Sequence, residues 1–216
     1  MATNSTKRVL YSYWRSSAAY RLRIALNLKA LDYETVSVSL IDGEHQQPDY
    51  LAINPQGLVP FLIDGEVSLG QSMAILEYLD ERYTQVPLLP PSAQARGLSR
   101  QIANIIACDI HPLCNLRVLK YIQQPLSASD SEKQQWYAHW VNSGFVAIEA
   151  LLESHKAYDF CVGDTPSFAD ICLVPQVYNA HRFNISLDRF PRINAIAQHC
   201  NEWPAFANAA PDSQRK

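Results

Sequence analysis

The chain lacks the cysteine patterns that would make it a thiol-disulfide or zinc protein. Its five cysteines form no Cys-x-x-Cys pair and no cysteine–histidine spacing typical of zinc, and none precedes Cys108. A thioredoxin-type redox activity needs a cysteine where the first strand turns into the first helix, but Ser16, Ser17 and Ala18 stand there. We expect reduced structural thiols, so any sulfur chemistry must arrive with a ligand.

The chain also lacks the charge and apolar runs that mark nucleic-acid-binding or membrane proteins. Its formal net charge is −3 and its basic residues are scattered, which argues against a nucleic-acid partner. Residues 1–8 are polar, and nowhere do about 18 uncharged apolar residues follow one another. We therefore expect no membrane association, a cytoplasmic location and a small-molecule partner.

A strand that runs into a helix is the most informative feature present. Val9 and Leu10 predict the strand, and the apolar residues from Leu22 onward recur at helical spacing. Ser16 and Ser17 stand at the helix N-terminus, where unpaired N–H groups and a partial positive charge favour an anion or a thiolate. Serine is also a preferred N-cap residue, so the pair could equally do nothing but cap the helix.

The remainder of the first half predicts an α/β domain over residues 1–86. Residues 33–40 alternate as a second strand, and residues 59–63 and 66–69 form a hairpin around Asp64-Gly65. An amphipathic helix follows Gln71, with Ser72 as its natural N-cap. The order βαβ–ββα is that of a thioredoxin-like domain.

The second half predicts only helices. Residues 87–92 contain three prolines and form the best interdomain linker. Helical patterns then cover residues 93–123, 130–154, 167–182 and 190–201, so residues 93–216 are expected to form an all-helical domain. Ser167 and Asp170 have the spacing of a capping box, which indicates a folding role.

Five segments together resemble the zeta class of the cytosolic glutathione transferases, whose members include maleylacetoacetate isomerase. They are residues 11–26, 54–60, 71–78, 109–116 and 161–165. Each is weak alone, but their order and spacing match along nearly the whole chain. The resemblance implies glutathione as cofactor and a homodimer.

The resemblance also implies a glutathione site. Ser16 would face the thiolate, with Ser17 as its neighbour and possible substitute. Gln71 and Ser72 would hold the γ-glutamyl end, and a cis bond between Val59 and Pro60 would present the Val59 backbone to the cysteinyl part. Further contacts are expected from Gln46 or Gln47 at the glycyl end and from Asn115.

Arginines in the chain suit a doubly charged substrate. A guanidinium holds a carboxylate through two parallel hydrogen bonds. Arg15 borders the predicted thiol site, the resemblance places Arg182 at a substrate carboxylate, and Arg117 is a weaker third candidate. Without the resemblance, Arg182 could equally be a cation that stabilises the C-terminus of its helix.

The function that the resemblance implies is glutathione-dependent cis–trans isomerisation. Reversible thiolate addition to the double bond would convert maleylacetoacetate to fumarylacetoacetate, a step in tyrosine and phenylalanine catabolism, and no metal is expected. Alternatives that stay open are maleylpyruvate as substrate, a glutathione transferase or dehalogenase acting on α-halo acids, and a catalytically inactive binding module.

Overall fold

The computed structural model describes residues 7–156 and 159–215. These residues form two compact units. We call residues 7–88 together with 204–215 the N-terminal unit, and residues 89–203 the helical unit.

A mixed four-stranded sheet organises the N-terminal unit. Its strands lie in the order β2-β1-β3-β4. β1 pairs in parallel with β2 and antiparallel with β3, and β3 pairs antiparallel with β4. The parallel pair requires a crossover, which the first helix provides. The strands are β1 (Arg8–Ser12), β2 (Glu34–Ser37), β3 (Phe61–Asp64) and β4 (Val67–Gly70).

Helix α1 (Ser17–Leu28) is the central helix of this unit. All residues from Ser17 to Leu26 are buried, including two arginines, so the helix is enclosed on every side rather than amphipathic. It packs against α3 (Ser72–Arg82). The βαβ–ββα order expected from the sequence is confirmed, and it leaves the start of α1 directly after β1.

Two details of this unit differ from the sequence prediction. β2 covers only Glu34–Ser37, and the loop at 42–48 contains a 3₁₀ turn (Glu44–Gln46) followed by a short helix, α2 (Pro48–Ile53). Proline is well suited to the first helical position because its missing N–H needs no partner there. Six residues are too few to show a helical period.

Ser72 is not the N-cap that the sequence predicts. α3 begins at Ser72, and Gln71 occupies the cap position without a side-chain capping hydrogen bond. The Ser72 hydroxyl instead accepts a hydrogen bond of 3.1 Å from Nη1 of Arg21. This contact with a residue on another helix takes the place of a local cap.

Residues 204–215 belong to the N-terminal unit, whereas the sequence predicts one helical domain over residues 93–216. They form α10 (Pro204–Ala207) and a 3₁₀ turn (Pro211–Gln214). The physical reason is that polar side chains of α1 need acceptors once buried. Asn27, Tyr20 and Arg23 donate to the carbonyl groups of Ala205, Phe206 and Ala209, respectively.

The helical unit contains the helices expected from the sequence, with its first stretch divided into four pieces. A π-helical segment (Ile105–Ile110) interrupts that stretch and packs on α7. The approach is close, because a Cβ at Gly144 would overlap Cδ1 of Ile110. The helices are α4 (Ala93–Asn104), α5 (His111–Cys114), α6 (Leu116–Gln123), α7 (Asp130–Ser154), α8 (Phe168–Arg182) and α9 (Pro191–Glu202).

Length and composition alone would allow the stretch 93–123 to cross a membrane. The core helix of a folded domain passes the same test, although only 33% of the most apolar window of this stretch is buried inside the structure. The capping residue Asn115 also interrupts the stretch.

Candidate active site

Three predicted site segments lie at the same end of the strands in the sheet of the N-terminal unit. The register of the sheet pairs Tyr11 with Phe61 and Phe61 with Gly70. The chain leaves β1 toward Ser16, enters β3 from Pro60 and leaves β4 toward Gln71. Because antiparallel neighbours reverse direction, these three points share the same end of their strands.

The N-terminus of α1 provides a hydroxyl and a helix dipole. Ser16 is half-buried, and its Oγ accepts a hydrogen bond of 3.2 Å from the Ala19 N–H. Its own proton therefore remains available to a ligand, and the first turn of α1 carries no acidic residue. A thiolate placed here would gain from a hydroxyl donor and from the positive end of the helix.

Ser17 and Arg15 flank this position in different ways. Ser17 is the first residue of α1 and is buried, with only 6% of its surface exposed. Arg15 is half-buried, with its guanidinium carbon 4.7 Å from the centre of the Trp14 ring. Its Nη2 donates to the Tyr13 hydroxyl at 3.5 Å. Of the two serines, Ser16 is the more accessible.

The segment before β3 has the cis peptide bond that the resemblance implies, between Val59 and Pro60. The preceding carbonyl, that of Leu58, accepts hydrogen bonds from the Tyr50 hydroxyl at 2.6 Å and from Nδ2 of Asn54 at 2.7 Å. No hydrogen bond engages the backbone N–H or C=O of Val59 within 7–156 and 159–215. The segment is thus fixed while Val59 retains one donor and one acceptor.

Gln71 adopts a backbone conformation that is rare for a residue with a side chain. Its φ is +66° and its ψ is 111°, and such strain costs on the order of 1–3 kcal/mol and is concentrated at functional sites. Its side-chain amide donates to Oε1 of Gln56 at 2.8 Å. The first turn of α3 contains no acidic residue, so no carboxylate of that turn competes with an anion for this helix N-terminus.

Gln46 and Gln47, the two candidates for the glycyl end, differ in how they are engaged. Nε2 of Gln46 donates to the Gly57 carbonyl at 3.0 Å. Gly57 has a φ of +60°, and a Cβ there would lie 2.6 Å from the same Nε2, so the contact needs glycine. The Gln47 side chain is exposed and makes no hydrogen bond in the described part of the chain. Gln47 is therefore the more available of the two.

The sequence did not predict a role for two buried arginines of α1. Arg21 and Arg23 are 1% and 0% exposed. Arg21 reaches Ser72 as described above, and burial lowers the pKa of Arg23 to about 10. Their positions in the sequence could have indicated a special role, since both interrupt an otherwise apolar helical run, where charged residues are rare.

The predicted site residues of the helical unit are linked through Tyr137 of α7. Asn115 follows Cys114, whose Sγ contacts the Tyr137 carbonyl at 3.9 Å. The Tyr137 ring stacks on Phe183 with the centroids 3.7 Å apart, and Phe183 directly follows Arg182. Burial raises the pKa of Tyr137, and the positive charge of Arg182 opposes that shift.

Two of the predicted substrate-binding arginines, Arg182 and Arg117, are exposed in the helical unit. Arg182 is exposed in the last turn of α8, and Arg117 is exposed in the first turn of α6. The Oδ1 atom of Asn115 accepts from the Val118 N–H at 3.1 Å, so Asn115 caps α6. Both guanidinium groups are therefore exposed to solvent.

Two family models match the two halves of the chain. The model of the glutathione S-transferase N-terminal domain matches residues 7–81, and that of the C-terminal domain matches residues 115–204. The chain belongs to the glutathione S-transferase family. The thioredoxin-like domain followed by a helical domain, expected from the sequence, is confirmed for this transferase family member.

Relatives place the chain in the zeta class of transferases. It is 47% identical to the maleylacetoacetate isomerase of Pseudomonas aeruginosa, over 95% of this chain and 96% of that protein. It is also similar to the holo structure of a bacterial zeta-class maleylpyruvate isomerase, with a TM-score of 0.94, 44% identity and coverage of 96% and 99%.

A third similar protein carries an informative ligand. The maleylacetoacetate isomerase of Anaeromyxobacter dehalogenans is 36% identical, with a TM-score of 0.86 and coverage of 97% of each chain. Its structure holds dicarboxyethyl glutathione and citrate in the active site.

Proposed function

We propose that this transferase is a glutathione-dependent cis–trans isomerase that converts maleylacetoacetate to fumarylacetoacetate. The observation that carries the proposal is the dicarboxyethyl glutathione in the related active site. That compound is what results when the glutathione thiol adds across the double bond of a four-carbon unsaturated diacid. Maleylpyruvate is the second candidate substrate, because a maleylpyruvate isomerase is 44% identical to this chain.

The residues of the N-terminal unit fit glutathione. The strained Gln71, the unpaired backbone groups of Val59 and the acid-free start of α3 suit a short peptide that ends in a carboxylate. When bound, glutathione supplies a thiolate that adds to the cis double bond, allows rotation and then leaves. The Ser16 hydroxyl donates a hydrogen bond to the sulfur and so stabilises the thiolate, and Ser17 stands beside it. Lowering the thiol pKa by one unit needs about 1.4 kcal/mol.

The same proposal assigns the remaining contacts to the parts of glutathione. Gln71 and Ser72 hold the γ-glutamyl end, and Val59 beside Pro60 contacts the cysteinyl backbone. Gln47, rather than Gln46, contacts the glycyl end, because the Gln46 amide is already bonded to Gly57. Asn115 is a further contact.

Arginines serve the diacid substrate in this proposal. Arg15, Arg117 and Arg182 supply cations for its carboxylates, since planar guanidinium groups bind carboxylates at two points. Fixed cations of this kind would also stabilise negative charge that develops on the substrate in the transition state. Arg182 is the primary candidate because it is exposed at the end of α8 beside the Tyr137–Phe183 stack.

The deciding experiment follows the absorbance of maleylacetoacetate with purified protein, with and without glutathione. We expect conversion only when glutathione is present, the fumaryl isomer as product and full recovery of glutathione. A parallel reaction with maleylpyruvate ranks the two substrates by kcat/KM.

Each alternative has a distinct outcome. Chloride release from a 2-chloro acid without isomerisation would identify a dehalogenating transferase. A product that retains the glutathionyl group would identify a conjugating one. Glutathione binding without turnover of any of these compounds would identify a binding module.

The proposal extends to assembly and location. We propose a homodimer, which sedimentation equilibrium tests by giving twice the mass of the chain. We also propose the cytoplasm, where the glutathione pool keeps thiols reduced. Fractionation of cells that produce the protein would test this location.

A further inference from the structure

Arg21 and Arg23 of α1 are both enclosed, yet only one of them has its donors satisfied. Arg23 donates from Nε to the Ala209 carbonyl at 2.8 Å, from Nη1 to Oγ of Ser12 at 3.1 Å and from Nη2 to the Trp14 carbonyl at 3.1 Å. Among residues 7–156 and 159–215, Arg21 donates only from Nη1, to Oγ of Ser72 at 3.1 Å. Its Nε and Nη2 atoms are buried and have no hydrogen-bond partner in the same described ranges.

Arg21 also has no carboxylate within ion-pairing distance among residues 7–156 and 159–215. A buried charge is costly unless an opposite charge or a full set of hydrogen bonds compensates it. Arg21 therefore carries an uncompensated positive charge directly behind Ser72, at the N-terminus of α3. That helix end is itself positive and contains no acidic residue in its first turn.

The hydrogen bond between the two side chains also fixes the direction of a proton. Because Oγ of Ser72 accepts from Arg21, the serine hydroxyl proton is directed away from the guanidinium. It is then available to a ligand at the start of α3. A carboxylate bound there would accept from the hydroxyl and from the backbone N–H groups, and its charge would compensate Arg21.

We propose that Arg21 is a positioning residue for the α-carboxylate of the γ-glutamyl group, acting through Ser72 and through its own buried charge. This inference rests on the proposed function, because it takes glutathione as the ligand of Gln71 and Ser72. Arg21 need not touch the ligand. Its role is to orient the Ser72 hydroxyl and to leave at the start of α3 a positive charge that no carboxylate of the described residues pairs with.

The experiment compares two ligands by calorimetry: glutathione and 4-aminobutyryl-Cys-Gly, which lacks only the γ-glutamyl α-carboxylate. We expect the wild-type protein to bind glutathione about 10- to 100-fold more tightly, as a hydrogen-bonded charge pair implies. In Arg21→Met this preference should fall to less than about threefold. Arg21→Lys, which keeps the charge with different donor geometry, should retain an intermediate preference and guards against failure of the methionine variant to fold.

Arg23→Lys is the matched control on the same helix. It disturbs a buried arginine whose donors are satisfied within the protein, so it should lower the melting temperature and keep the wild-type ligand preference. Equal weakening of both ligands in the Arg21 variants would mean a purely structural role and would overturn the inference while leaving the proposed function intact. Absence of glutathione binding by the wild-type protein would overturn both.

Discussion

Three helix N-termini of the helical unit differ from the two at the candidate site of this transferase. In those three helices, carboxylates close the N-terminus. Glu132 completes a capping box at α7, Asp170 does so at α8, and Glu149 of α7 accepts from the Arg192 and Ile193 N–H groups at the start of α9. In the N-terminal unit, neither α1 nor α3 has an acidic residue in its first turn.

The difference distinguishes helix N-termini that stabilise the fold from helix N-termini that can bind a ligand. A helix N-terminus attracts a carboxylate in either case. Where the chain supplies that carboxylate, the interaction contributes to stability. Where the chain withholds it, the positive end remains open to a ligand, and the strain at Gln71 and the uncompensated Arg21 lie at such an end. Substitutions in the first group should therefore change stability, and those in the second should change binding.

Asp170→Ala should have the largest effect. The Asp170 carboxylate is fully buried and accepts from the Cys161 N–H at 2.7 Å, the Ser167 N–H at 2.8 Å and the Ser167 hydroxyl at 2.9 Å. Leaving these donors unsatisfied should lower the free energy of unfolding by roughly 3 kcal/mol or more, measured by urea denaturation. Asp188→Ala removes an exposed carboxylate that also accepts from a serine and should cost less than about 0.5 kcal/mol. Equal losses would contradict the interpretation.

Glu149→Gln should come next. Each carboxylate oxygen accepts one N–H of α9, at 2.8 and 3.0 Å, and an amide can replace only one of these acceptors. We expect a loss of about 2 kcal/mol in the free energy of unfolding. The same change at the exposed Glu153, one helical turn later, should be neutral. A neutral Glu149→Gln would show that α9 does not need this carboxylate.

Ser16→Ala and Ser92→Ala form a matched pair across the two units. Each serine accepts from an alanine N–H three residues later at 3.2 Å, so each variant should lose about 1 kcal/mol of stability. Only Ser16→Ala should also lower kcat/KM in the isomerase assay, by roughly tenfold, which corresponds to about 1.4 kcal/mol of thiolate stabilisation. If turnover is unchanged in Ser16→Ala, the role passes to Ser17 or to the backbone.

Gln71→Gly should show the smallest change in stability, with the opposite sign. Glycine relieves the φ of +66°, so the unfolding free energy should rise by roughly 1 kcal/mol while the affinity for glutathione falls. Ser127→Gly relieves a φ of +55° at an exposed site and should gain similar stability with unchanged affinity. Loss of stability in Gln71→Gly would show that the strain is not relieved by glycine.

Sequence patterns predicted the elements whose signals are local. The range of α7, residues 130–154, agrees with the structure at both ends, because Ser129 and Glu132 mark its start and its apolar pattern is long. α2 was missed because a helix of six residues within a polar loop shows no period. β2 is shorter than its alternating pattern, which extends beyond the residues that pair with β1.

The candidate site also has features that a local sequence pattern indicates and features that it does not. Its location at one end of the strands follows from the strand order and register of the sheet, whereas the sequence predicted only the order of the elements along the chain. The engagement of Ser72 by Arg21 joins residues 51 positions apart, and no local pattern reports whether a buried arginine has partners. The roles assigned to the predicted site residues stay predictions until the variants above are measured.

The return of residues 204–215 to the N-terminal unit has a consequence for synthesis. Residues of α1 obtain acceptors from carbonyl groups that the ribosome adds almost 200 residues later, such as the partner of Arg23, 186 positions away. Domains generally fold as units during synthesis, N-terminal first, but this unit cannot be completed in that order. Residues 7–88 must therefore wait, with Nε of Arg23 lacking its acceptor, until the whole helical unit has been made.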